Sequence, residues 1–150
     1  MAEEKKMVSE EEESLEDLAI KAQILDSQAK SLIAQINQIE QSITNLNQTI
    51  QTLENFNKLA KKALLPIGNS IYITCKEIDD EVFVSIGADV VIKKTPPEAK
   101  EFLEQKVKEL DKILEDGRKK LDLINGLITD INTKAARLSQ RMKNVRPSQE

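Results

Sequence analysis

The chain has 150 residues, a formal net charge of −4, no histidine, no tryptophan and only 3% aromatic residues. That composition excludes an aromatic-rich globular core, bulk electrostatic attraction to nucleic acid, and any site built on imidazole, the usual base and metal ligand near neutral pH. Scarce glycine and proline, with abundant Ala, Glu, Lys, Leu, Ile, Gln and Asn, is instead the bias of long helices with a narrow apolar seam.

Residues 1–14 carry six Glu against two Lys and little to bury, so an acidic, loosely ordered tail is expected there. The stretch has no apolar core of the kind a signal peptide needs. Nowhere does the chain approach the ~20 apolar residues of a membrane span, and a cytoplasmic location is expected. Ser14 is the natural N-cap of the helix that follows.

From Leu15 apolar residues recur at intervals of three and four: Leu15, Leu18, Ala22, Leu25, Ala29, Leu32, Ile36, Ile39, Ile43, Leu46, Ile50 and Leu53, continuing to Asn57 and Ala60. A repeat of 3.5 residues held for this long specifies a supercoiled partner helix. Residues 15–63 are therefore predicted as one coiled-coil helix, about 70 Å long from Leu15 to Ala60, whereas a compact globule of this length has a radius of gyration of only about 15 Å. The Asn/Gln-rich flanks, as in NQIEQSITNLNQTIQTLENFN, keep heptad phase and read as a solvated helical face.

Residues 64–95 change character. Ile67-Gly68-Asn69-Ser70-Ile71-Tyr72-Ile73 is echoed 19 positions later by Ile86-Gly87-Ala88-Asp89-Val90-Val91-Ile92, each reading as strand, glycine turn, strand. Two tandem β-hairpins are predicted, turning at Gly68-Asn69 and at Gly87-Ala88. Pro66 cannot donate to a ladder, so the first strand is short or lies at an edge. Adjacent apolar residues such as Val90 and Val91 imply cover on both faces. Two short hairpins are marginal alone and leave unpaired edges, so this segment should assemble with other subunits, through Ile67, Ile71, Ile73, Val82, Val84, Ile86, Val90 and Ile92. Cys75 sits in a strand pattern and reads as a small packing residue.

Thr95-Pro96-Pro97-Glu98 is a helix start, with Thr95 as N-cap. A second heptad array then runs through Leu103, Val107, Leu110, Leu114, Gly117, Leu121, Ile124, Ile128, Ile131, Ala135, Leu138 and Met142, giving a helix over 96–143 and a short basic tail, 144–150. Two helices of similar length joined by a compact unit fold back into an antiparallel coiled-coil hairpin. If facing residues sum to about 160, Gly117 lies opposite Ile43, Ala22 opposite Leu138 and Ala29 opposite Ile131, so that large meets small. The basic tail would then neutralise the acidic one.

No catalytic pattern emerges. There is no Walker-type loop and no G-x-G-x-x-G fingerprint, and Asp79-Asp80-Glu81 reads as a solvated connection between hairpins. The chain is expected to be no enzyme and to need no cofactor or metal. A tRNA-binding arm would want a basic stripe that is missing.

Taken together, heptad helix, two Ile-Gly hairpins and heptad helix resemble the alpha class of the prefoldin family, archaeal-type co-chaperones. The resemblance covers roughly residues 15–143 and is carried by LLPIGNSIYITCKEIDDEVFVSIGADVVIKKTPPEAKEFLEQKVKEL, with its Pro66-Ile67-Gly68 turn, Val84-Ser85-Ile86-Gly87, the Val90-Val91-Ile92-Lys93 strand, and Ala99 and Phe102 opening the second helix. It implies a mostly α fold with a small β part, whose hairpins build an oligomeric β-barrel platform in a hexamer of two alpha and four beta subunits. It also implies an ATP-independent holdase that captures non-native proteins at the coiled-coil tips and passes them to a group II chaperonin. In this sequence Ile20 and Ile24 lie off the seam near the first helix's free end, and Val145 lies near the second's. Fraying of the last turns would add Leu15, Leu18, Leu138 and Met142 as client contacts. The competing reading is a structural coiled-coil adaptor or spacer oligomerised through its hairpins.

Overall fold

A computed structural model describes residues 13–59, 63–76 and 78–144. The expected tails, apart from Glu13, Ser14 and Asn144, lie outside the described residues. In chain order the elements are α1 (Leu15–Glu54), α2 (Phe56–Leu59), β1 (Ala63–Gly68), β2 (Ile71–Cys75), β3 (Val82–Gly87), β4 (Val90–Lys94) and α3 (Pro96–Asn144). The fold is thus mostly helical, with two long helices flanking two small antiparallel hairpins.

Both long helices begin on a reciprocal cap. Ser14 Oγ accepts from the Asp17 amide at 3.1 Å while the Ser14 amide donates to Asp17 Oδ2 at 3.2 Å. The same box recurs at α3, where the Thr95 amide donates to Glu98 Oε2 at 2.9 Å and the Glu98 amide donates to Thr95 Oγ1 at 3.4 Å. The bonds from Thr95 hold the Glu98 carboxyl below the usual carboxylate range. Along the polar flanks, hydroxyls satisfy themselves on the carbonyl four residues back: Ser42 on Gln38, Thr44 on Glu40, Thr49 on Asn45 and Thr52 on Gln48, at 2.9–3.1 Å.

The first helix stops earlier than its heptad pattern predicts. Asn55 turns its side-chain amide back to the Gln51 carbonyl at 2.9 Å, closing the last turn of α1, and the chain re-enters a short helix at Phe56. Asn57 is exposed, and Phe56 takes the half-buried position beside it. The break falls two residues before the polar residue in the seam, and Asn55 closes the last turn with both its backbone and its side-chain amide on the Gln51 carbonyl.

Two compact units can be described separately. One comprises Met1–Asn37 with Glu115–Glu150, the other Gln38–Leu114. In the first, Leu18, Ala29 and Ile36 are buried, Leu18 at 2% exposure, and Ile36 lies against Gly117. In the second, Ile50, Ala99 and Leu114 are buried, and Glu54 pairs with Lys100 at 2.7 Å, which raises the lysine's pKa. All a and d residues from Leu15 to Leu53 and from Leu103 to Leu138 are buried or half-buried, so the apolar seam runs where the heptads place it.

The register differs from expectation by one heptad. Ile36 meets Gly117 and Glu54 meets Lys100, so facing residues sum to about 153, and Gly117 does not take Ile43 as its partner. In the observed register Ala22 and Ala29 still face isoleucines, Ile131 and Ile124. A seven-residue slide keeps both the seam phase and the matching of large to small, so neither can discriminate. The junction can: the Thr95 cap fixes where α3 begins, and Ala99 seats at 2% exposure.

The hairpins are two separate two-stranded sheets, and among the described residues they form no barrel. In the first, Ala63 pairs with Cys75 and Pro66 with Tyr72; in the second, Val82 pairs with Lys94 and Ser85 with Val91. Each turn lies one residue later than expected. Asn69-Ser70 and Ala88-Asp89 are the central residues, with φ of 39° and 63°, and 49° and 59°, the double positive φ of a type I′ turn. Gly68 and Gly87, at φ 131° and 107°, sit instead in the register shift just before the turn. The extra residue there is a bulge, and the glycine is needed because a side chain disfavours that backbone conformation.

Candidate functional site

Two apolar surfaces stand out, one in each unit. The first is the pair of hairpins. Leu64, Leu65, Ile67, Ile71, Tyr72, Ile73, Phe83, Ile86, Val90, Val91 and Ile92 are all exposed, Phe83 at 71%. Successive residues of a strand point to opposite faces, so exposed neighbours such as Leu64-Leu65, Tyr72-Ile73 and Val90-Val91 leave apolar residues of both faces exposed. Isolated exposed apolar residues are ordinary, but a concentration this dense marks an interaction surface.

Six of the eight residues expected to mediate assembly, Ile67, Ile71, Ile73, Ile86, Val90 and Ile92, lie on this open surface. Val82 and Val84 do not. They are half-buried and line a groove of about 330 Å³ with Thr49, Leu53, Ala99 and Phe102. Residues 82 and 84 share the strand face turned to the chain's own helices, and Phe83 takes the outward face. Alternation tells which residues share a face but not which face the helices cover. Leu64, Leu65, Tyr72 and Phe83 are exposed too but are not among the residues the sequence pointed to; their signal was apolar character on both strand faces.

Glu81 pairs with Lys93 beside this surface and raises the lysine's pKa, tying the start of β3 to β4. Lys106 sits 4.6 Å over the Phe102 ring at the groove's edge. Cys75 is a half-buried free thiol at the end of β2.

The second surface lies in the other unit, at the helix ends. Ile20 and Ile24 are each 53% exposed and Met142 is 59% exposed. Leu15 and Leu138 are half-buried, while Leu18 is the most completely buried large side chain described, so it reaches a ligand only if the end of the pair opens. Val145 lies outside the described residues. Leu123 and Leu127, exposed at 69% and 52%, were missed in the sequence; the available signal was an apolar residue at a heptad position other than a or d. Lys21 pairs with Glu13, and Lys119 with Glu115 at 2.7 Å.

Among the described residues no group of three His, Cys, Asp or Glu side chains could hold a metal ion, and no helix is long and apolar enough to cross a membrane.

The family model for the prefoldin subunit matches residues 25–141, spanning both helices and both hairpins. The chain belongs to the prefoldin family. Among curated prefoldins it is 31% identical to prefoldin subunit alpha of Methanococcoides burtonii over 141 residues, covering 92% of this chain and 96% of that one. It is 25% identical to prefoldin subunit alpha of Pyrococcus horikoshii over 138 residues, covering 89% and 93%. Its place is therefore among the prefoldin alpha subunits. The fold is also that of the filamentous PFD of Methanocaldococcus jannaschii, solved by cryo-EM, at a TM-score of 0.66 and 23% identity over 75% of this chain and 96% of that one. Prefoldins are chaperones, so the two apolar surfaces belong to a protein of chaperone type that works within a prefoldin complex.

Proposed function

We propose that this prefoldin subunit is an ATP-independent holdase that captures non-native polypeptides at the free ends of α1 and α3 and delivers them to a group II chaperonin. The observation that carries this reading is the exposure of Ile20, Ile24 and Met142, large apolar side chains near helix ends that the coiled-coil seam does not use. Leu15, Leu18, Leu138 and Val145 add to the surface when the last turns fray. Apolar side chains on frayed ends bind weakly and with little regard for shape, which suits clients that share only exposed hydrophobic surface.

The hairpins serve assembly in this reading. Exposed sheet faces and unpaired strand edges are stable only when covered, and neighbouring strands cover both at once. The expected complex has two alpha and four beta-type subunits, with the hairpins closing into a β-barrel platform. Residues 67, 71, 73, 86, 90 and 92 face the neighbours there, joined by Phe83 and Tyr72.

The test is suppression of aggregation of a chemically denatured client, followed by light scattering, with the chain alone and with beta-type partners. Deleting residues 1–25 and 138–150 should abolish suppression while the complex still assembles. Full suppression by the truncated complex would overturn capture at the helix ends. Failure of the intact complex to suppress aggregation would leave a coiled-coil adaptor joined through its hairpins.

A further inference from the structure

On α1, Leu15, Ala22 and Ala29 occupy heptad position a, which puts Lys21 at g and Ile24 at c. On α3, Gly117, Ile124, Ile131 and Leu138 occupy d, which puts Leu127, Lys134 and Arg141 at g and Arg137 at c. In an antiparallel pair the g columns of the two helices adjoin along one side of the seam, and each c column borders its own g. The Ile36–Gly117 contact sets the levels: Arg137 comes level with residue 16 of α1, Lys134 with residue 19 and Leu127 with residue 26. From the start of α1 inward, the g side of this compact unit therefore presents three cations of α3 beside Lys21. Leu127 and Ile24 follow, 52% and 53% exposed.

Charge on this side is unbalanced. Among the described residues no carboxylate pairs with Lys134, Arg137 or Arg141. Asp17, at c of α1, is committed to the amide and hydroxyl of Ser14, and Asp130, at c of α3, is the other carboxylate bordering these columns. The e column of α3 presents Asn125, Asn132 and Ser139 over the same stretch, so the cations gather on the g side. Glu13, just ahead of the Ser14 cap, pairs with Lys21, well inside α1. The chain arriving at the cap thus lies against the g side and does not run straight off the helix end.

What precedes Glu13 in the sequence matches this side in order. Glu10, Glu11 and Glu12 come first, and the apolar pair Met7-Val8 lies beyond them. An extended chain covers about 3.3 Å per residue, so Val8 reaches about 20 Å from Ser14. Along α1 the level of Ile24 is about 15 Å from Ser14 and that of Leu127 about 18 Å. The three glutamates fall short of that distance, at the levels of Arg137 and Lys134.

We infer that residues 7–12 of the same chain lie back along the g side as an extended strap, with Glu10, Glu11 and Glu12 on Lys134, Arg137 and Arg141 and with Met7-Val8 covering Ile24 and Leu127. Attachment through Ser14 selects this occupant. A segment tethered this closely has an effective concentration of about 1 mM, so contacts that would hold a free peptide at about 0.1 mM keep it about 90% docked. Exposed ion pairs are individually weak and screened by salt, so the strap is releasable. The chain masks its own apolar residues, and on the holdase reading above a client must displace the strap.

The experiment uses the full-length chain, with Cys75→Ser, in a complex with cysteine-free beta-type partners. Val8→Cys with Leu127→Cys should form a disulfide at least about tenfold faster than Val8→Cys with Asn125→Cys, which lies at nearly the same level on the e side. In 1 M NaCl, where the Debye length is about 3 Å, the first rate should fall at least about fivefold. Lys134→Glu with Arg137→Glu should slow it as much, and adding Glu10→Lys with Glu11→Lys should restore it. Equal rates for the two pairs, a rate indifferent to salt and charge reversal, or a disulfide joining two chains would each overturn the strap. Deleting residues 2–12 should lower the complex concentration that half-suppresses aggregation of a denatured client about threefold, and an unchanged value would overturn the masking. An intact complex that suppresses nothing would fell the holdase reading alone, because the disulfide rates decide the strap without a client.

Discussion

Ile36 packs across the helix pair against Gly117, so closely that a β-carbon on residue 117 would lie 3.4 Å from Ile36 Cγ1 and 3.7 Å from Cδ1. The contact sets the register of the coiled coil, and it makes the two helical glycines of α3 a matched pair. Gly126 has open space around it, and Gly117 has an isoleucine. Gly126→Ala should stabilise the protein by about 0.8–1 kcal/mol through helix propensity. Gly117→Ala should gain somewhat less, because Ile36 must settle against the new methyl group. Gly117→Leu should cost about 1–3 kcal/mol by overpacking. Thermal or urea unfolding of the three variants checks the order.

The register itself is testable by disulfide formation in a Cys75→Ser background. Ile36→Cys with Gly117→Cys should oxidise readily. Ile36→Cys with Ile124→Cys, the pair that the 160 register would bring together, should not, because one heptad is about 10.5 Å along a helix and disulfides need Cα atoms within about 7 Å. Oxidation of the second pair alone would overturn the observed register.

The hairpin turns carry side chains where backbone geometry favours none. Ala88, at φ 49°, has neither the freedom of glycine nor the local hydrogen bonding of asparagine. Ala88→Gly should stabilise by up to about 1 kcal/mol and Ala88→Val should destabilise. Gly68→Ala, at φ 131°, should cost about 1–3 kcal/mol. Unfolding midpoints of the assembled complex would show these effects, since the hairpins are read as buried there.

Glu98 gives a pH signature. Its folded pKa is depressed, first by the hydrogen bond from the Thr95 amide and then by that from the Thr95 hydroxyl pair. A depressed carboxylate contributes stability above its unfolded pKa, and that contribution is lost as pH falls through the lower folded value. Carboxyl-detected NMR should therefore find Glu98 titrating below the ordinary glutamate value. Thr95→Val should move it back toward that value, because the hydroxyl partner is gone.

Phe83→Asp combined with Ile67→Asp should convert the assembly to smaller species in sedimentation while leaving helical circular dichroism intact. Both side chains face outward, so the chain's own core loses nothing. An unchanged sedimentation coefficient would argue that the hairpin faces are not the assembly surface.

Much of the fold was legible because it is written in local rules. A seam of threes and fours from Leu15 to Leu53 and from Leu103 to Leu138 needs only the helical period, and the buried positions follow it. Ser14 and Thr95 are caps because a hydroxyl and a carboxylate three residues apart satisfy two amides reciprocally, one each. The repeated Ile-Gly phrase marked both hairpins, although the turns lie one residue later, since glycine was serving the bulge before a type I′ turn. Exposed Ile20 and Ile24 were legible as residues the seam leaves out.

By itself, then, the sequence determined the element types, the seam and both helix starts, all of which follow from periodicity and from groups within a few residues of each other. Only the tertiary structure decided the heptad register, the break at Asn55, and the inward turn of Val82 and Val84. Each of these depends on which of several equally patterned alternatives brings distant residues together. A seven-residue slide or a flipped strand face leaves every local preference satisfied, so the choice falls to packing at a few points, Ala99 beneath its capped helix and Ile36 against Gly117.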